Sequence, residues 1–324
     1  MILMKLKRWA WNKCFLIMYI RFLWRKRHEL SGISETNKKD FGRKICRKCS
    51  SHNKSGIENN GIERIGLSIQ GNESNVCPVI YLEYYYESYQ SGREFDDIVK
   101  EIEAVYQKNC ISGMVDMSFF KDWSVAQGKI TLKLINYEEN KKLLERLPHR
   151  KFLDMAIVYQ YVMETGQKES ATVLINYFHM KIWEVQERDL YECAYRNYRK
   201  LTPVMVENIK CVIAELLEES MLDIPLDEGE DMAPLYVVTN RAKLNGAASM
   251  VFISELRDSS DVFEQDLYIL PSSIHEVLVL PVQYADIKEL RWMVKEVNGT
   301  LLPEEKLSDQ VYRYCCKSGK IEIV

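Results

Sequence analysis

Asp266 to Pro281 reads DLYILPSSIHEVLVLP, two apolar, strand-forming runs on either side of a short polar stretch. A chain carrying this segment is constrained to fold it back on itself as an antiparallel hairpin. Proline suits the second position of a turn and serine the third, so the turn is expected at Leu270-Pro271-Ser272-Ser273. That register pairs Leu270 with His275 and Tyr268 with Val277. Alternation then sends His275, Val277 and Val279 to one face, and Glu276, Leu278 and Leu280 to the other.

The same segment poses a chemical question, because Ser272 or Ser273 beside His275 is the composition of a nucleophile and its base. Successive strand residues point oppositely, so Glu276 cannot orient the His275 imidazole. Asp266 shares the histidine's face but lies four strand residues off, about 13 Å. The glycines of a nucleophile elbow are missing. The expected structure is a buried hairpin whose serines satisfy turn amides, with His275 at the sheet edge.

Hairpin signals recur along the chain. IERIGLSIQ and CPVIYL flank a GNES turn, and YLEYYYESY then enters a helix with Tyr81, Tyr85 and Tyr89 on one face. This tyrosine stripe is read as core-facing with an exposed edge, because Glu83 and Glu87 stand among the rings. Phe95, Ile98, Val99, Ile102, Val105 and Tyr106 follow helical spacing over 93–109. KITLKLIN is a strand, and YEENKKLLERL is a short helix ended by Pro148. FLDMAIVYQYV and ATVLINY are read as adjacent antiparallel strands. Helices are expected near 178–184, 187–199 and 203–219. LYVVTN and GAASMVF are expected to be strands flanking a turn at Arg241–Asn245, with a helix near 253–263. Ile287, Leu290, Met293, Val294 and Val297 share one face of a helix that Gly299 ends. VYRYCCKSGKIEIV closes a hairpin at Ser318-Gly319. Strands in hairpins and helices in groups argue an α+β fold, largely antiparallel sheets with helices packed against them. The expected divisions are a basic, aromatic-rich extension and polar linker at 1–56, an α+β portion at 57–226, and a second at 227–324, continuous with the first or separate.

Charge is distributed unevenly. Residues 1–55 hold 15 Lys/Arg and 3 Asp/Glu, which leaves 29 basic and 44 acidic residues for the rest of the chain. An acidic body is a poor partner for nucleic acid. The basic start has an uninterrupted apolar run of only seven residues, Cys14 to Ile20, where a span needs about 20. No transmembrane span is expected, although peripheral contact through its Trp and Arg residues remains a reading of it. Nine cysteines without a secretory signal suit reduced thiols in the cytoplasm.

Cys46, Cys49 and His52 have half the spacing of a zinc site, but the Ser, Asn, Gly and Lys around them favour a polar linker. His149, Arg150 and Asp154 are read as a surface turn, with a polar cluster as the sharper alternative. Asp227, Glu228, Glu230 and Asp231 resemble a cation loop in composition alone. The phosphate loop, the dinucleotide fingerprint and helically spaced metal histidines are all missing. No cofactor is expected.

KLINYEENKKLLERLPHRKFLDMAIVY, ATVLINYFHMKIWEV, DLYILPSSIHEVLVLP and LSDQVYRY together resemble a bacterial family known from gut clostridia, domain of unknown function 5688, over about residues 57–324. The first fifty-odd residues depart from that family's acidic, helical start. The resemblance implies a cytoplasmic bacterial protein and transfers no catalytic residue. The leading expectation is a non-catalytic cytoplasmic protein that binds a protein partner or small ligand. The alternatives are a hydrolase-like enzyme assembled from distant residues around Ser272, Ser273, His275 and His149, and a tether to anionic membrane or nucleic acid through residues 1–55.

Overall fold

The computed structural model describes residues 52–57, 59–68, 79–109, 117–164, 170–212, 214, 234–256 and 261–324. The first sheet is antiparallel, β1 (His52–Ile57), β2 (Glu63–Ser68) and β3 (Val79–Tyr81) in that order. β1 falls where a polar linker was expected. Two helices, α1 (Glu83–Gln90) and α2 (Phe95–Asn109), follow the sheet and bury Tyr85, Tyr86, Ile98 and Ile102 with Leu67 and Ile80. The tyrosine run divides differently from the expected stripe: Tyr85 and Tyr86 go inward, while Tyr81, which lies in β3, and Tyr89 stay exposed. Burial, with Glu101 nearby, pushes the Tyr85 phenol up to about 12.

Next come α3 (Trp123–Ala126), β4 (Ile130–Asn136), α4 (Lys141–Leu144), β5 (His149–Phe152), β6 (Met155–Glu164) and β7 (Ser170–Leu174). β6 is the spine of this second sheet, with β4 on one side and β5 and β7 on the other, all antiparallel. The apolar stretch from Phe152 is thus two strands, turned at Leu153-Asp154 with Leu153 left-handed at φ 58. A leucine in that region is no turn signature, which is why His149 was read into a surface turn and instead opens a strand.

The third sheet has the order β13-β12-β10-β11-β9-β8, antiparallel throughout. Before it lie α5 (Tyr177–Trp183) and α6 (Glu187–Leu201). Its strands are β8 (Val204–Asn208), β9 (Tyr236–Asn240), β10 (Leu267–Ser273), β11 (Glu276–Pro281), β12 (Tyr312–Cys315) and β13 (Lys320–Ile323), with α7 (Ile287–Asn298) between β11 and β12. β8 corrects the start of the helix expected over 203–219: Val204 and Val206 are β-branched and pair with Asn240 and Val238, and helical backbone begins only at Ile209. GAASMVF is also corrected. It opens a 3-10 helix, Gly246–Glu255, rather than a strand, and the helix expected near 253–263 gives way to that segment's end and a second 3-10 turn, Asp261–Glu264. Small side chains let this segment press flat against β9 and the β10–β11 tip. A Cβ on Gly246 would stand 2.3 Å from Thr239 Oγ1 and 2.6 Å from the His275 carbonyl.

Each face of the third sheet has its own core. Leu267, Ile269, Val277 and Val279 pack with Leu132, Leu134, Tyr159 and α6 residues Leu190, Ala194 and Tyr198. Leu270, Leu278 and Leu280 pack under Leu290, Met293, Val294 and Val297 of α7. Each such aliphatic side chain contributes about 1.5–3 kcal/mol when fully buried. α7 is started by Asp286, which accepts from the amides of Lys288 (2.8 Å) and Glu289 (3.4 Å). Gly299 ends it at φ −64, without the left-handed turn glycine permits. β12 and β13 close the hairpin expected from the sequence, with Gly319 at φ 67.

Candidate functional site

Two of the candidate residues, His275 and Asp154, meet one strap, Leu302–Asp309, between α7 and β12. The β10–β11 turn is not at Pro271-Ser272 but three residues later, at Ile274-His275. Tyr268 pairs with Leu280, Leu270 with Leu278 and Pro271 with Val277, and a bulge between Pro271 and Ser273 absorbs the odd residue. A proline, which has no amide to donate, is tolerated at a bulge. Ser273 Oγ closes the turn by accepting from the His275 amide at 3.0 Å.

His275 has a hydrogen bond at one ring nitrogen and a carboxylate near the other. The Asn245 amide donates to Nδ1 at 3.1 Å, and Nε2 faces Glu305 Oε1 at 3.7 Å. Ser272 Oγ donates to the Glu276 carboxylate at 3.5 Å, and His275 lies in the turn rather than on a strand, so the strand alternation read from the sequence does not describe it. What the sequence missed is Glu305, a carboxylate thirty residues on that stands near the imidazole without a hydrogen bond to it. A serine base needs one ring nitrogen aimed at the hydroxyl. Here Ser273 Oγ meets the histidine's backbone, and neither imidazole nitrogen has a serine partner.

Asp154 serves the same strap. It accepts from Ser308 Oγ at 2.6 Å and Tyr312 Oη at 2.7 Å. Burial, followed by the Asp154 charge, raises the Tyr312 phenol far above its ordinary range. The cluster of His149, Arg150 and Asp154 does not assemble. His149 Nδ1 lies 2.9 Å from the Leu147 carbonyl, and Arg150 pairs with Glu187 at 3.0 Å. His179 belongs elsewhere again, accepting the Asn176 amide at 3.1 Å in a capping box and packed between Phe120 and Trp183. Burial holds its pKa below the usual histidine value.

Asparagines complete the clasp. Asn59 Nδ2 donates to the Glu304 carbonyl (2.6 Å), and Asn60 Nδ2 to those of Pro303 (2.6 Å) and Lys306 (2.7 Å). Asn136 Nδ2 reaches the Leu307 carbonyl (2.9 Å) and Asn298 Nδ2 that of Ser308 (2.7 Å). Beyond one 3-10 turn, Pro303–Glu305, the strap must find partners for its carbonyls, and side-chain amides supply them. The strap also receives the Ile274 amide at the Glu305 carbonyl, 2.8 Å. These bonds make a junction between the first sheet, the second sheet and the hairpin tip, with Asn59 Oδ1 left buried and unpaired among the described residues.

A second polar row went unnoticed in the sequence. Arg150 lies 3.6 Å over the Tyr191 ring, and Glu187 takes a short hydrogen bond from Tyr159. At the other end of α6, Glu255 joins Tyr195 and Arg199. The two groups pin α6 to the second sheet and to the 3-10 segment. The spacing of Tyr191, Tyr195 and Tyr198 along one helix was the available signal.

Among the described residues no three His, Cys, Asp or Glu side chains gather as a metal ion requires. His52 opens β1, whereas Cys46 and Cys49 lie outside the described residues, as do the acidic loop at 227–231 and all but the last residues of the basic start. No described helix is long and apolar enough to cross a membrane. The surface does carry an apolar face. Tyr177, Phe178 and Ile182, on a single seven-residue helix, are 48%, 67% and 39% exposed.

A family model described as "Family of unknown function (DUF5688)" matches residues 33–316. The match begins earlier than the resemblance read from the sequence and stops eight residues short of the last residue. No curated protein and no solved structure matches the chain.

Proposed function

Because the chain belongs to the DUF5688 family, whose description carries no activity to transfer, we propose its function from its surface: a non-catalytic protein that binds a protein partner through the outer face of α5. The observation that carries this reading is Phe178. A phenylalanine two-thirds exposed, one helical turn from Ile182 and adjacent to Tyr177, leaves water against apolar area that a partner would cover. Aromatic side chains of this kind dominate binding energy at protein interfaces. The use of Ser273, His275 and Asp154 as clasps supports the non-catalytic half of the reading.

Residues 57–324 act as one body in this proposal, supported by the pairing of β8 with β9 across the acidic loop and by a core common to the second and third sheets. Cys193, Cys211, Cys315 and Cys316 are reduced, which fits a bacterial cytoplasm.

Placing a photoreactive phenylalanine at position 178, with Lys100 as the exposed control site, tests the proposal in a lysate of the source organism. The expected result is a discrete adduct from position 178 that excess unlabelled protein competes away and a Phe178→Glu/Ile182→Glu double variant does not. Equal adducts from both positions, or full competition by the double variant, would refute it.

A further inference from the structure

β13 (Lys320–Ile323) is an outer strand of the six-stranded sheet, and among the described residues no strand pairs with its far side. The register fixes which groups that side presents. Val324 continues the ladder, its amide donating to the Val311 carbonyl at 3.0 Å. By the alternation of an antiparallel pair, the amides and carbonyls of Glu322 and Lys320 also turn toward β12. Those of Ile321 and Ile323 therefore point outward. Such a row is a template for another strand unless something blunts it, and the exposed charges of Lys320 and Glu322 are the residues placed to do so.

They do not blunt it against a second copy of the same strand. We propose that β13 is a homodimer surface, on which two copies pair antiparallel about a twofold axis at Ile321 and join their sheets into one. With Ile321 opposite its own copy, the outward amide of each bonds to the carbonyl of the other. Lys320 of each copy then stands opposite Glu322 of the other. These two pairs are of the non-hydrogen-bonded kind, in which facing side chains approach most closely, and opposite charges there stabilise a sheet. Ile323, 44% exposed, falls opposite Gly319, which has no side chain to exclude it. The charges select this register. A shift of one residue sets outward groups against groups already bonded to β12. A shift of two brings Glu322 against Glu322 in one direction and Lys320 against Lys320 in the other, and like charges directly opposite are destabilising.

Sedimentation velocity of the full chain, from low micromolar to about 100 μM, tests the proposal and should show monomer passing to dimer. Glu322→Lys and Lys320→Glu each place like charges opposite one another at exposed positions and should weaken dimerisation at least about tenfold. Mixing the two variants should restore a dimer of one copy of each, because two lysines then face two glutamates. The Ile321 amide should exchange more slowly with solvent deuterium as concentration rises. A parent monomeric throughout, single variants that dimerise as well as the parent, a mixture that stays monomeric, or a dimer with an unchanged Ile321 rate would overturn the proposal.

Discussion

Gly246→Ala puts the junction between β9, the 3-10 segment and the hairpin tip under direct strain. The added carbon would lie 2.3 Å from Thr239 Oγ1, 2.6 Å from the His275 carbonyl oxygen and 2.7 Å from the Asn240 amide nitrogen, where ordinary contact begins near 3.4 Å. Two of those atoms are backbone, so the 3-10 segment must retreat by about 1 Å from both. Retreat stretches the bonds from the Ala247 amide to the Ile274 carbonyl (3.2 Å) and from the Asn245 amide to His275 Nδ1 (3.1 Å). It also disturbs the bond from Thr239 Oγ1 to the His275 carbonyl (2.8 Å). Three hydrogen bonds at about 1 kcal/mol each, with overpacking of about 1–3 kcal/mol, give a destabilisation of roughly 4–6 kcal/mol. Urea denaturation followed by circular dichroism measures it. Gly128→Ala is the control, with nothing within 4 Å of the new carbon, and should stay within about 1 kcal/mol of the parent. A Gly246→Ala variant equally close to the parent would refute the tight apposition at the hairpin tip.

His179 gives an acid limb with a defined sign. Its folded pKa is depressed by burial, so between that value and the unfolded value of about 6.5 the unfolded chain binds more protons, and stability falls as pH drops through the window. His179→Phe, which keeps the ring between Phe120 and Trp183, should flatten that limb in melts taken across pH 4–8; an unchanged slope would exclude His179 as its source. Thr131 is fully buried with no hydrogen-bond partner for Oγ1. Thr131→Val should therefore be neutral or stabilising by about 1 kcal/mol, and a loss of 2 kcal/mol in the denaturation midpoint would show that the hydroxyl is engaged.

The sequence was legible where structure is local. The apolar stripes of α2 and α7 and the β12–β13 turn are all read from neighbours within a few residues, and they formed as read; β2 and β3 pair antiparallel, with the expected GNES turn outside the described residues. It failed where distant partners decide. Gly246–Phe252 has strand-like composition, yet its backbone is fixed by the His275 carbonyl and Asn240 amide. The β10–β11 turn moved past Pro271 because Ser273, Glu305 and Asn245 supply partners at Ile274-His275, and only Ser273 is local. Asn59 and Asn60 reach strap carbonyls more than 240 residues away. Asparagine in a polar stretch looks like a linker until the chain it clasps is in place.

Amide hydrogen exchange on the full chain, comparing the parent with Asp154→Ala and His275→Ala, tests most directly whether the catalytic-looking residues are clasps. Asp154→Ala should loosen the strap by about 2 kcal/mol, speeding exchange some thirtyfold at the Ile274 and Gln310 amides, which bond to Glu305 and Ser308. His275→Ala should release the Asn245 amide, and both variants should leave the β4–β6 ladder protected. Unchanged exchange at Ile274, Gln310 and Asn245 in both variants would contradict the account and return Asp154 and His275 to the list of residues free for chemistry.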